Sequence, residues 1–559
     1  MRTDWLPRLI RIGLLASAFA ALLSALSGGE GHAQGRGGGE WTTSGFDAQR
    51  SGWLRADARL TKAAVEKGEF DFLWKMKIEN ASRQLNSLTT PVLLDRLIGY
   101  RGFKSLAFFG GSDDRVFAVD TDLARPAWTA VLNNSAPNSG RAGSTMECPG
   151  GLTAMPSRRT VLATAAPPAG GGRGGVRNGS AVGEPGRGAA VLSQPSPQRG
   201  APPGGREGRG GPEAPARGRG PAPIGFGRVD PLFVVGSDGY LHNLLVSNGA
   251  ESEPSLPFVP PDTKLSALIW VDGVVYAATS GECGAAPNAL WAMDLNVPAK
   301  ERKTVSWKTG AASIAGISGL AFGTEGTIYV AVGTAASGAT LPDSIVALDR
   351  ETLTPMDWFT APGADFNATP IVIRHKDKDL VAATANDGRL YVLDGATLGG
   401  PDHRTPLAVT AKFTDAGAGT ALATFEDASG RWIFATASGT AGRIVAFKLL
   451  DDGGKLTVEA AWQSRDLTSP LAPIVVDGMV FAVSSGEFRG AGSLSAAQRA
   501  QRSVPAVLYV LDTATGKPMW SSGTKITSFA RGGLSAGGGQ VYLVTYDNHL
   551  YAFGIPLEH

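Results

Sequence analysis

The 559-residue chain sets 52 Lys and Arg against 50 Asp and Glu, a formal charge of +2. A balance so close to neutral supplies no clustered basic surface, which removes nucleic acid from the list of partners. Hydrophobic residues at 43%, together with 75 Gly and 35 Pro, favour short strands joined by tight turns, so the chain reads as all-β.

The first element is a leader. Arg2, Arg8 and Arg11 precede or open an apolar run over 12–26, and Gly31-His32-Ala33 follows before Gln34. This is the pattern of a cleavable signal peptide over 1–33, and it places the mature chain, 34–559, in the periplasm or outside the cell. The apolar run is too short for a stable membrane span, and no later stretch reaches the roughly 18 apolar residues a span requires.

A repeated unit then occupies the rest of the chain: an apolar strand ending in apolar-x-Asp, a polar turn and a Trp. The clearest copy is Leu508-Tyr509-Val510-Leu511-Asp512, continuing through Thr513 to Trp520. Others end at Asp120 with Trp128, Asp294 with Trp307, Asp349 with Trp358, and Asp394 without a Trp. Degenerate copies lie at 241–245, 444–448 and 550–554. Apart from one long gap, the units lie about 40 to 65 residues apart, the size of a four-stranded blade, and predict a single eight-bladed β-propeller of antiparallel blades. Each Trp is expected to wedge between neighbouring blades.

The long gap contains 165–228, a tract of Gly, Pro, Ala and Arg with no aromatic before Phe226. It cannot build a core and reads as a disordered, solvated insertion. The last unit has no Trp strand after it, while Phe70 to Ile78 holds a Trp strand with no blade before it. The two chain ends are therefore expected to pair and close the ring, which removes an exposed sheet edge.

These units resemble the pyrroloquinoline-quinone (PQQ) repeats of the quinoprotein alcohol and methanol dehydrogenases and of the non-enzymatic propeller of the outer-membrane barrel-assembly machinery. The opening Trp41-Thr42-Thr43-Ser44-Gly45-Phe46-Asp47-Ala48-Gln49-Arg50 is similar to the start of the dehydrogenases, and Ala383 to Asp394 to their late-blade segment. The resemblance implies PQQ over the central channel, calcium beside it, and an alcohol or sugar as substrate. Four positions depart from that pattern. Leu88 stands where the dehydrogenases have a cofactor-contacting Glu, and a single Cys148 stands where they have an adjacent cysteine pair. Gly338, Ala339 and Thr340 align with their catalytic Asp, with Asp343 out of register, and Asn386 replaces a Lys or Arg. No Cys-x-x-Cys-His occurs, which excludes c-type haem. No catalytic residue and no metal-ligating cluster can be named from the sequence.

In an up-and-down blade, the link from one blade to the next and the loop between its second and third strands emerge on one face. That places Cys148 and Cys283 together, and as the only cysteines of an exported chain they are expected to form a disulfide. The same face should carry Arg141, Glu147, Glu282, Asn288, Asn367 and Arg531. Arg141, Glu147, Asn367, Asn386 and Arg531 are the candidate cofactor-binding set over the channel. Asp113 with Asp114, and Asp451 with Asp452, read as turn residues. Two functions remain open: a PQQ-binding oxidoreductase with a non-standard site, or a non-catalytic propeller that binds envelope proteins or polymers. Either is expected as a monomer.

Overall fold

A computed structural model of the chain describes residues 40–99, 102–132, 145–162, 190–191, 230–415, 417–419, 421–439, 441–490 and 492–556. The leader, Arg141 and all of 165–228 except Ala190–Val191 lie outside the described residues.

Eight separate sheets surround one axis. The eight units read from the sequence are the third strands of the eight blades: Arg115–Asp120, Tyr240–Leu244, Asn288–Asp294, Ser344–Leu348, Leu390–Asp394, Arg443–Asp452, Val507–Asp512 and His549–Gly554. Blade 1 shows the full pattern, with Val92–Gly99, Gly102–Gly110, Arg115–Asp120 and Arg125–Val131 antiparallel in sequence order from the axis outward. Blade 2 is the irregular one. Its innermost strand is reduced to a bridge between Ser157 and Phe233, and its outermost strand, Leu256–Pro257, is two residues long. The 165–228 tract therefore leaves between the first and second strands of blade 2.

Closure follows the expectation. Asp71–Lys77 is the outermost strand of blade 8 and runs antiparallel to His549–Gly554, with Lys75 opposite Tyr551. Small residues fill the narrow inner layers, with Ala107, Ala277, Ala331, Ala382, Ala435 and Ala482 fully buried, as the taper of a wheel demands.

Two of the outer-strand tryptophans join blades by the same joint. Trp128 of blade 1 donates its indole N–H to Val246 O of blade 2 at 2.9 Å, and Trp462 of blade 6 donates to Thr513 O of blade 7 at 2.8 Å. Each ring lies against a turn glycine of the next blade, Gly249 or Gly516, in the left-handed region at φ +73° and +68°. A Cβ there would stand 2.5 or 2.4 Å from the ring. Glycine is required twice over, for conformation and for room.

One segment has no counterpart in the repeat. Residues 41–54 run around the inside of the wheel and give backbone carbonyls to its innermost strands. Trp41 O accepts from Leu93 N, Thr42 O from Arg158 N, Ala48 O from Phe322 N, Gln49 O from Val372 N, Ser51 O from Thr424 N and Gly52 O from Val475 N, all at 2.8–3.0 Å. Thr43 Oγ1 donates to Leu268 O of blade 3, and Asp57 Oδ2 accepts from Gly539 N of blade 8. An innermost strand has one free edge, and its N–H groups, buried away from water, need acceptors; this thread supplies them blade by blade.

Candidate functional site

The thread is also the floor of the channel. Arg50, only 2% exposed, spans it: Nε donates to Leu320 O at 2.7 Å, Nη1 to Ser44 O at 2.6 Å and Thr43 Oγ1 at 2.8 Å, and Nη2 to Ser318 O at 3.3 Å. Burial pulls its pKa down to about 9, against the opposing pull of Asp47. The guanidinium stays charged at neutral pH and bonds both to the thread and to blade 4 of the wheel, which makes it a tie and not a ligand group. Above it the channel narrows between Trp41, Met155, Ile371, Leu422, Ile474 and Leu534 and leaves about 40 Å³ for water-sized molecules. That is room for a few waters.

The loops around this mouth form the face expected from blade geometry. Cys148, in the link into blade 2, is bonded to Cys283, in the loop between the second and third strands of blade 3, with Cα atoms 5.4 Å apart. Glu147 beside it pairs with Lys264 at 2.7 Å and is 67% exposed. Asn367 Nδ2 donates to Asn386 Oδ1 at 2.7 Å, and Asn386 Nδ2 donates to Asp365 Oδ2 at 2.7 Å. Asn367 Oδ1 is buried without a partner among the described residues. Asp343 accepts from the backbone N–H groups of Gly363 and Asp365 and so holds the link between blades 4 and 5. Asn288 is likewise structural, closing the Gly310 carbonyl at 3.1 Å. Asp114 is a turn residue, as expected, but its carboxylate also ties blade 1 to the backbone of Ser237 in blade 2.

The strongest concentration of charge is one of which the sequence flagged only Arg531. Glu487, fully buried in the loop 485–506 of blade 7, receives three guanidiniums: Arg489 Nε at 2.8 Å, Arg499 Nη2 at 3.4 Å and Arg531 Nε at 3.3 Å. Arg499 stands on the helix Ala496–Arg502, which opens with a capping box at Ser495 and Gln498. Its Nε also donates to Phe488 O, and its Nη1 lies 3.8 Å from Met146 Sδ, on the segment that carries Cys148. Arg531 opens the innermost strand of blade 8, Ala530–Gly537, and its Nη1 holds Leu85 O at 2.9 Å. Burial pulls the Arg531 pKa down, Glu487 opposes that, and the two neighbouring arginines add to the fall. Three cations on one carboxylate leave a formal excess of two positive charges. The Nη groups of Arg489, whose side chain is 38% exposed, make no hydrogen bond among the described residues. Planar guanidinium forks of this kind match carboxylate or phosphate oxygens two at a time.

The sequence-derived set therefore divides. Arg531 belongs to the cluster, Asn367 and Asn386 form a pair of their own at blades 4 and 5, and Glu147 faces solvent beside the disulfide. Arg141 lies outside the described residues. No described contact joins these groups to one another. The missed members, Glu487, Arg489 and Arg499, lie in a long loop whose only sequence signal is its density of arginine after Gly486.

No protein-family model matches the chain, and no curated protein matches it. Solved structures do. A quinohemoprotein alcohol dehydrogenase from Comamonas testosteroni superposes with a TM-score of 0.54 at 13% identity, over 93% of this chain and 81% of its own. Another, from Pseudomonas putida HK5, gives 0.54 at 11%, over 93% and 82%. A europium-containing methanol dehydrogenase gives 0.53 at 10%, over 92% and 98%. At such identities the likeness is one of architecture, and what this chain shares with the quinoprotein alcohol dehydrogenases is their eight-bladed propeller.

Proposed function

We propose that this chain is a propeller of the periplasm or cell exterior that binds an organic polycarboxylate over its channel mouth, with PQQ, a tricarboxylate, as the first candidate. The observation that carries the reading is the net-positive cluster of Arg489, Arg499 and Arg531 around Glu487. Glu487 fixes the three side chains before any ligand arrives, so their ordering is not charged against binding. Arg489 then offers its free Nη groups to a carboxylate, with Arg531 and Arg499 neutralising a second. The basic and apolar leader and the disulfide support the location. The fold shared with quinoprotein dehydrogenases supports a quinone.

Calcium-assisted alcohol oxidation does not fit these residues. Calcium takes about six to eight oxygen ligands, and among the described residues no group of three His, Cys, Asp or Glu could hold a metal ion. The carboxylate of Glu487 is committed to arginine, and Asp343 to the backbone of the next blade link. Bound PQQ would supply a hydride-accepting quinone; this chain's part is to hold and orient its carboxylates.

The test is a titration of the purified mature protein with PQQ, with and without calcium, followed by absorbance. Saturable binding that ignores calcium and weakens about tenfold or more in Arg489→Ala supports the reading. Absence of binding refutes it. Calcium-dependent dye reduction with a panel of alcohols and sugars would overturn the metal-free site in favour of a dehydrogenase.

A further inference from the structure

Blade 7 carries the longest second-to-third-strand loop among the described strands, 485–506; the next longest is 333–343 of blade 4. It is held by polar ties and not by a core. The helix Ala496–Arg502 buries no residue. Phe488 N donates to Ser503 Oγ at 3.0 Å and Arg499 Nε to Phe488 O at 3.2 Å, both within the loop. Among the described residues, the one polar contact that leaves the loop from this helix is Arg499 Nη1 to Met146 Sδ, at 3.8 Å. A segment with no buried apolar face and few outside bonds is among the first to open.

Met146 is in turn secured at the far side of the wheel. Two residues on, Cys148 is bonded to Cys283 in blade 3, and among eight blades the third and the seventh stand opposite each other. The line Arg499, Met146, Cys148, Cys283 is therefore a strap from blade 7 to the link into blade 2 and on to blade 3. The tip 145–148 has little else to hold it. Thr145 and Cys148 bond each other, N to O at 3.1 Å and N to Oγ1 at 3.0 Å. Glu147 meets Lys264 in an ion pair that lies open to solvent and is weak for that reason. Firm anchoring resumes at Gly150 and Leu152, whose carbonyls accept from Asn86 Nδ2. One covalent bond thus sets the position of Met146.

We infer that Cys148–Cys283 is a thiol-exchange site that latches this strap, and that a dithiol, by reducing it, frees the 485–506 loop and loosens the arginine cluster. The consequence for ligand rests on the reading of that cluster as a polycarboxylate site. Cys148 is half-buried and Cys283 only 2% exposed, so an attacking thiolate reaches the Cys148 sulfur and Cys283 leaves as thiolate. The second thiol of the reductant resolves the mixed disulfide on Cys148; two electrons and two protons end on the two cysteines, and the dithiol becomes a disulfide. With the bond open Met146 departs, and Arg499 keeps only Phe488 O and Glu487, the latter at 3.4 Å. A cluster ordered before binding becomes one that a ligand must order.

Amide hydrogen exchange on the full mature chain, oxidised against reduced, tests this without any ligand. The reduced form is made with dithiothreitol, capped with iodoacetamide and freed of reagent, which acts only here because the chain has two cysteines. Amides of 485–506 should exchange about tenfold faster or more after reduction, while the inner strands keep their protection. Met146→Ala, with the bond intact, should give the same gain, and it decides the matter if reduction also loosens the inner strands. PQQ should bind the reduced, capped chain about tenfold more weakly than the oxidised one. Unchanged exchange in 485–506 after reduction, a Met146→Ala loop no looser than wild type, or a bond that dithiothreitol leaves intact in the native protein overturns the inference, whatever PQQ does. Faster exchange with no PQQ binding to either form leaves the latch standing and removes the polycarboxylate reading.

Discussion

Arg50→Met isolates the contribution of the thread to stability. Methionine nearly matches the length of the stem and removes the charge. Four hydrogen bonds from the guanidinium are lost, to Leu320 O, Ser44 O, Ser318 O and Thr43 Oγ1. At roughly 2 kcal/mol each for a charged donor they total about 8 kcal/mol. Against this stands the relief of an expensive burial. A pKa lowered from 12.5 to about 9 corresponds to roughly 5 kcal/mol at about 1.4 kcal/mol per unit. The net expectation is a loss of about 3 kcal/mol, read as a lower urea midpoint. Limited proteolysis should then cut within 41–54 at a denaturant concentration where wild type is intact. A variant as stable as wild type, with an uncut thread, would show that Arg50 is a tolerated buried charge and not a tie.

Gly516→Ala should lose about 2 kcal/mol or more in the same unfolding assay, because it strains a left-handed residue and drives a methyl into the Trp462 ring. The non-reduced mature protein should show no free thiol to a thiol reagent, and Cys148→Ser/Cys283→Ser should lose up to about 5 kcal/mol, the chain-entropy value for a bond spanning 135 positions. His242 is fully buried; desolvation lowers its pKa, but the hydrogen bond with Glu251 and the charges of Asp238 and Glu251 outweigh it and the net shift is upward. A raised folded-state pKa gives stability that is complete below the unfolded value, near 6.5, and fades as pH rises through the folded value. The urea midpoint of wild type should therefore fall relative to His242→Gln as pH is raised from 6 to 9, and parallel curves would remove the assignment.

The wheel was legible because each blade repeats the same third strand and turn, so the apolar-x-Asp pattern recurs with the blade, and in most blades a Trp follows it. The closure was legible for the same reason: Trp74 without a blade and Tyr551 without a Trp are two halves of one unit. The thread was not. Its bonds run from backbone carbonyls to strands as far away as Val475, and carbonyls leave no mark in side-chain pattern; only Arg50, the one basic residue of 41–54, hints at it. The disulfide followed from strand direction together with the count of two cysteines in a chain read as exported. Glu487 and Arg499 did not, since a loop of varied length has no period from which to read which of its charges turns inward. Glu147 lies beside the disulfide, paired at 2.7 Å with Lys264, a partner that no repeat position announces.

The thread and the closing strand, 71–77, are made before every blade, yet their partners extend as far along the chain as His549–Gly554. Residues 41–54 cannot settle until seven inner strands exist to receive them, and Asp71–Lys77 waits for His549–Gly554. Assembly is thus a single late event, with a high burden of distant contacts and slow kinetics. A nascent or truncated chain has no finished subunit to fall back on, and would present unsatisfied strand edges to chaperones and proteases until its final blade arrives.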